Sequence, residues 1–123
     1  MRQRPLVCRG VHELSLCGAI ADIVSRRADG REVEVVHVRI GQLRQVVPDT
    51  LTFCWSLVVA DTSLQRARLD IERVGAQLRC RQCGCVFDLG DQLGFACAQC
   101  AGLDVEVVRG EEFDVTALEL TPA

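Results

Sequence analysis

The chain has 123 residues, 49% of them hydrophobic, and a formal charge of -3 at pH 7. That length allows one conventional core plus a small lobe held by something other than burial, while the acidic balance and an aromatic content of only 4% argue against a nucleic-acid-binding surface. No apolar run approaches the roughly 18 residues needed to cross a bilayer, and no segment near the amino terminus has the length of a secretion signal. A cytoplasmic protein with no nucleic-acid or membrane partner is expected. All 14 basic residues are arginine, which reflects GC-rich coding rather than function.

From Glu13 to Arg27, Cys17, Ile20, Ala21 and Val24 recur on one helical face, with Leu14, Leu16 and Ile23 beside it, and Asp29-Gly30 closes the helix. Val33, Val35, Val36, Val38 and Ile40 then form a β-branched run with apolar residues on both pleat faces, which reads as a strand ending at Gly41. His37, in the middle of it, is expected as a core or edge-strand residue rather than a metal ligand. Pro48 and Asp49 open a second helix, since proline suits a first turn and an acid complements the helix dipole; its inner stripe is Leu51, Cys54, Trp55 and Val58. Cys17 and Cys54 lie on apolar faces and read as small buried hydrophobes. Ala67 to Val74 alternates, with Ala67, Leu69 and Ile71 facing inward, and leads into a cysteine-rich lobe.

That lobe carries the strongest chemical signal. Cys80-Arg81-Gln82-Cys83 is followed after thirteen residues by Cys97-Ala98-Gln99-Cys100, two tight turns that can aim four thiolates at one tetrahedral ion. Zinc is the expected occupant, as a structural cofactor whose filled shell leaves no place for substrate. A disulfide pair set, a rubredoxin-like iron site and a redox dithiol are the alternatives that the spacing leaves open. Asp88-Leu89-Gly90-Asp91 offers a turn midway, so that a hairpin can return the second pair, and Cys85 reads as a spare thiol. Leu103 to Val108 reads as a strand, Phe113, Val115 and Leu118 mark a last extended or partly helical piece, and Glu111, Glu112 and Asp114 read as a solvated turn. The pattern predicts an α+β fold, with two helices on a small three-stranded mixed sheet and an inserted zinc-ribbon lobe. No serine, histidine and acid set, phosphate loop or carboxylate pair points to catalysis, so no enzyme is expected.

Val11-His12-Glu13-Leu14-Ser15-Leu16 resembles the amino-terminal motif of the HypA/HybF family of nickel metallochaperones. The resemblance continues through Gly41-Gln42-Leu43, Val47-Pro48-Asp49-Thr50-Leu51, Ala67 to Glu72 and the paired knuckles, and so covers residues 11 to about 118. It implies a second metal site for Ni(II) as transient cargo, with His12 and Glu13 as nickel-binding residues, Glu13 orienting the site or binding a carried proton, and a nitrogen of Val11 as a further ligand. Imidazole and backbone nitrogens supply the tetragonal field that Ni(II) favours. It also implies delivery of nickel during maturation of nickel–iron hydrogenase, in some organisms also urease, with a HypB-like nickel GTPase and the hydrogenase large subunit as partners. A homodimer is compatible with it.

One departure matters. The family begins with methionine where this chain has Val11, and ten residues precede it. Valine can be encoded by GTG, an alternative start codon, and initiation there would give methionine and a free amine next to His12. Residues 1–10 are then read as a non-native amino-terminal extension, residues 11–75 with 109–123 as the nickel-binding α+β domain, and residues 76–108 as the zinc ribbon. The rival reading is a zinc-ribbon interaction or transcription adaptor without a nickel function.

Overall fold

The computed structural model describes residues 6–92 and 94–122, with side chains from His12 onward. Helix α1, Leu6–Ala28, starts well before the expected Glu13. The reason is local: a helix already fixed by a packed stripe propagates toward the amino terminus until something stops it, and one glycine, Gly10, costs only about 1 kcal/mol. Its far end fits the expectation, with Asp29 and Gly30 both at positive φ (49° and 82°) and the Arg31 N–H bonded to the Ala28 carbonyl at 3.0 Å. Arg26 and Arg27 complement the last turn, and Arg27 also donates to the Val115 carbonyl at 2.7 Å.

Strand β1, Val33–Gly41, leads through a 3-10 turn at Gln42–Arg44 to α2, Pro48–Val59, and then to β2, Arg68–Val74. The last strand, β6, is Phe113–Leu120, fully extended rather than partly helical. Phe113 and Val115 are covered in its first half and Leu118 and Leu120 in its second, so the covered face changes across the exposed pair Thr116 and Ala117.

The main sheet has the order β2-β1-β6. β6 is antiparallel to β1, because the Thr121 N–H meets the Glu32 carbonyl at one end and the Gly41 N–H meets the Glu112 carbonyl at the other. β2 runs with β1: His37 meets Asp70, and farther along both segments Gln42 meets Ala76. That is the pairing a helical crossover provides, so the sheet is mixed. Its core is built from Cys17, Ile20 and Val24 of α1, Leu51, Cys54, Trp55 and Val59 of α2, and Val33, Val35, Val36 and Val38 of β1, all buried. Val59 takes the place expected for Val58, one step around the same helical stripe. The Trp55 indole, buried in that layer, donates to the Ala67 carbonyl at 2.7 Å.

A second sheet has the order β4-β3-β5, with β3 at Gln77–Cys80, β4 at Val86–Asp88 and β5 at Val105–Arg109. Both pairings are antiparallel: Leu78 faces Phe87 on one side and Val107 on the other. Asp88-Leu89-Gly90-Asp91 does hold a turn, with the Gln92 N–H bonded to the Leu89 carbonyl at 3.3 Å, but it does not join two paired strands. β3 and β4 are joined by the first cysteine knuckle itself, because a two-residue spacing between thiols that converge already reverses the chain.

The chain divides into two compact units, one of Arg39–Gln45 with Arg73–Phe113 and the other of the remaining residues. In the ribbon unit Gln42 spends both ends of its amide, accepting from the Ala76 N–H at 2.8 Å and donating to the Gly90 carbonyl at 2.7 Å. Gly41 has no room for a side chain, since a Cβ there would lie 2.0 Å from the Gly110 carbonyl oxygen. Among the described residues, one buried cluster of this unit consists of Ala76, Leu78, Cys80, Phe87, Leu89 and Cys97, with Leu43, Cys85 and Val105 packed on it.

Candidate metal centre

Cys80 ends β3 and Cys83 completes the first knuckle; Cys97 and Cys100 form the second. The two are built alike. The N–H of Cys80 bonds the carbonyl of Cys85, and that of Cys97 bonds Gly102, each five residues on and each at 2.8 Å. Four residues after each first cysteine, the N–H of Gly84 or Ala101 returns to its carbonyl at 2.9 Å, and both residues lie at positive φ (78° and 62°). Glycine suits that conformation; Ala101 accepts some strain to complete the turn. Each knuckle also turns an amide toward its first sulfur, Cys83 N–H to Cys80 Sγ and Gln99 N–H to Cys97 Sγ, both at 3.4 Å. Amides aimed at sulfur favour the thiolate.

The four sulfurs lie within 4.8 Å of one another, and Cys80 to Cys100 and Cys83 to Cys97 are each 3.6 Å apart. A disulfide would require about 2.05 Å. A tetrahedron with metal–sulfur bonds of about 2.3 Å has edges of about 3.8 Å, close to what is seen. The cage therefore has the size of an S4 metal shell, and all four cysteines are free. Two ligands, Cys80 and Cys97, are buried, and two, Cys83 and Cys100, face solvent.

Charge argues the same way. Cys97 is held down to about 6, first by the backbone N–H of Cys100 and then by that of Gln99. Cys83 also has an amide favouring its thiolate, from Cys85; although the residue is exposed, local desolvation of its sulfur and the proton-sharing thiols of Cys97, Cys80 and Cys100 push it up to about 12. Four thiols this close cannot all ionise unless a cation compensates them. Cys85 is outside the four-sulfur group; it is half-buried, with its thiol 3.8 Å from the Val86 carbonyl, and burial raises it. Its thiol also interacts with that of Cys97 at the edge of the cluster.

The residues expected to hold nickel are arranged differently. Val11 lies inside α1, where the chain continues as helix on both sides, so its nitrogen is an ordinary helical amide. His12 is exposed. Glu13, the next residue, is only 3% exposed, and its Oε2 accepts from the Val47 N–H at 3.2 Å. Adjacent helical positions point about 100° apart, so one side chain faces solvent and the other faces α2. The burial of Glu13 was missed, although the signal was present: Glu13, Cys17, Ile20 and Val24 follow the 4-3-4 spacing of the packed stripe. Cys17 is pushed up to about 12, by burial first and then by Cys54 and Glu13, and Cys54 is also raised by burial and by Glu13. Both thiols are core residues.

His37 is half-exposed and spans three strands, with Nδ1 2.9 Å from Asp70 on β2 and Nε2 2.6 Å from Glu119 on β6. Those carboxylates raise its pKa, the Glu119 hydrogen bond contributing most. Glu112 is no loose solvated acid; its carboxyl is held below the usual range by its own backbone N–H and that of Gly110, which donates to it at 2.7 Å.

A mixed α+β sheet unit and a ribbon with a four-thiol cage define a small metal-binding protein. Residues 11–120 match the profile of a family described as hydrogenase/urease nickel incorporation, metallochaperone, HypA. The hydrogenase maturation factor HypA of Geotalea uraniireducens is 42% identical over 110 residues, which is 89% of this chain and 99% of that protein. That of Roseiflexus sp. is 38% identical, covering 89% and 91%. The solution structure of the Ni metallochaperone HypA from Helicobacter pylori shares the fold, with a TM-score of 0.61 at 22% identity over 88% of this chain and 96% of that one. The chain belongs to the HypA family of hydrogenase maturation metallochaperones. Among the described residues no helix is long and apolar enough to cross a membrane.

Proposed function

We propose that this chain binds Ni(II) at the amino-terminal part of α1 and delivers it during maturation of nickel–iron hydrogenase, while Cys80, Cys83, Cys97 and Cys100 hold a structural zinc. The match of residues 11–120 to a nickel-incorporation family carries this reading. The exposure of His12 is consistent with it, since a cargo ligand must remain accessible to an acceptor. The amine needed to complete the nickel shell would come from a chain that starts at position 11, which is part of the proposal.

Zinc, when bound, supplies fixed positive charge and no open coordination position. What the protein contributes is the cage: two buried thiols, two exposed ones, and amides that favour the thiolates. In this reading the protein is a cytoplasmic carrier and not a catalyst, acting with a nickel-handling GTPase and the hydrogenase large subunit; urease is a further recipient where it is present. Protons compete with Ni(II) for imidazole and amine nitrogen, so acid favours release.

The test is a calorimetric nickel titration of zinc-loaded protein, both as the full chain and as a form beginning at position 11 with Val11→Met, each with and without His12→Ala. One nickel per chain, bound more tightly by the shorter form and lost in His12→Ala, is the expected result. Equal binding with and without His12, or none at all, would overturn the proposal and leave a zinc-ribbon adaptor as the better description.

A further inference from the structure

Glu13 combines three observations that its place in a nickel motif does not explain. Its side chain is 3% exposed while its neighbour His12 is exposed. Its Oε2 accepts the Val47 N–H at 3.2 Å, whereas Oε1 is buried with no partner among the described residues. Around it lie Cys17 of α1 and Cys54 of α2, two buried thiols that feel its charge. An ion reached by this carboxylate would have to enter the packed layer between the helices.

The acceptor is placed where α2 needs one. Val47 is the N-cap of α2, and no side chain of its own segment caps that helix. The first N–H groups of a helix have no partner within it, and negative charge there is favourable. Pro48 has no N–H to offer, so the Val47 amide is the donor at this entry that Glu13 takes. A buried carboxyl oxygen left without a partner is destabilising, because its desolvation is not compensated. Such a cost in the core is borne for position, since an apolar residue at this site would pack without it.

We infer that Glu13 is a positioning residue and not a ligand of the cargo: its buried carboxyl ties the helical turn that carries His12 to the amide that opens α2. The tie is a feature of the helical unit alone; its bearing on nickel rests on the nickel reading above. In consequence nickel would be held by His12 and main-chain nitrogens, and Glu13 would set where that imidazole stands.

The experiment compares the parent protein with Glu13→Gln, Glu13→Ala and Val47→Pro, zinc-loaded, in the full chain and in the Val11→Met form. It measures hydrogen exchange of the Val47 amide and nickel titrations followed by the absorption bands of the nickel complex. Glu13→Ala is expected to speed exchange at Val47 by about tenfold or more and to weaken nickel about tenfold without moving the bands, the scale of one lost hydrogen bond to a charged group. Glu13→Gln, whose amide oxygen can accept the same N–H, should keep both within about threefold, again on the scale of one weakened hydrogen bond. Val47→Pro, which removes the donor and leaves the carboxyl, should weaken nickel as Glu13→Ala does. The inference is overturned if Val47 exchange is unchanged in Glu13→Ala. It is equally overturned if Glu13→Gln shifts the bands, or abolishes binding as fully as His12→Ala does, while Val47 stays protected. A parent protein that takes up no nickel would sink the functional reading and the cargo role of Glu13 with it; Val47 exchange would still decide whether the tie exists.

Discussion

The two units of this chain are closed by different physics. The helical unit buries Ile20, Val24, Leu51, Trp55 and the valines of β1, enough large apolar side chains to drive its own collapse. The ribbon unit buries fewer, Ile40, Val74, Leu78, Phe87 and Leu89 among the described residues, and two of the six residues in its buried cluster are the thiols Cys80 and Cys97. One unit is stabilised by removing hydrocarbon from water; the other, on the structural-zinc proposal, depends on a cation that neutralises its sulfurs. Small lobes with cores of this size usually need a staple, and here the staple and the core share residues.

The sharpest way to break that contrast is to remove the metal. Structural zinc contributes on the order of 10 kcal/mol or more, so a chelator at neutral pH should collapse the amide spectrum of Arg73–Phe113 and leave that of α1, α2 and β1 native. Ribbon signals that survive metal removal would mean that the small core suffices. The converse experiment is Leu51→Ala, which truncates a fully buried side chain of α2 and should cost about 2–5 kcal/mol in denaturant unfolding without changing zinc content per folded chain. Loss of zinc in that variant would show that the units do not respond separately. Gly41→Ala should cost less, about 1–3 kcal/mol, by forcing the Gly110 backbone away, and the strain should register first in the ribbon unit.

The smallest effect belongs to His37. Its folded pKa is raised, so its contribution is fully present below the unfolded value near 6.5 and is lost as pH rises through the folded value. Both partners are more than half exposed, so salt should screen the pair. Melting temperatures of parent and His37→Gln should differ at pH 6 and converge at pH 9; a gap that persists at pH 9 would assign His37 a packing role instead.

Much of this architecture can be read in advance wherever a local rule and the tertiary environment agree. The stripe of Cys17, Ile20 and Val24, the proline at the start of α2, the two-faced β1 and the paired knuckles are of that kind. The misreadings fall where a long-range partner decides. β6 is a full strand because β1 offers it an edge. Asp88 to Asp91 holds the expected turn, yet no paired strands flank it, because β3 pairs with β4 across the knuckle and with β5 on its other side. Glu13 is expected only by resemblance, as a residue of the nickel site, and its burial depends on the amide of Val47, 34 positions away, a partner that no local pattern announces. His37 was expected at a strand edge or in the core, and its two acidic neighbours come from strands far away in sequence.

Gln42 sets a limit on how this molecule can be cut. It stands thirty-one residues before the ribbon's main segment begins at Arg73, yet its amide is bonded to Ala76 and to Gly90, and Leu43 beside it packs on the ribbon's core. A knuckle segment excised and grafted onto another scaffold would carry all four cysteines and still lack part of its own wall. The portable module is therefore not a contiguous stretch of gene, and a transplant would have to bring residues 39–45 along as a second piece.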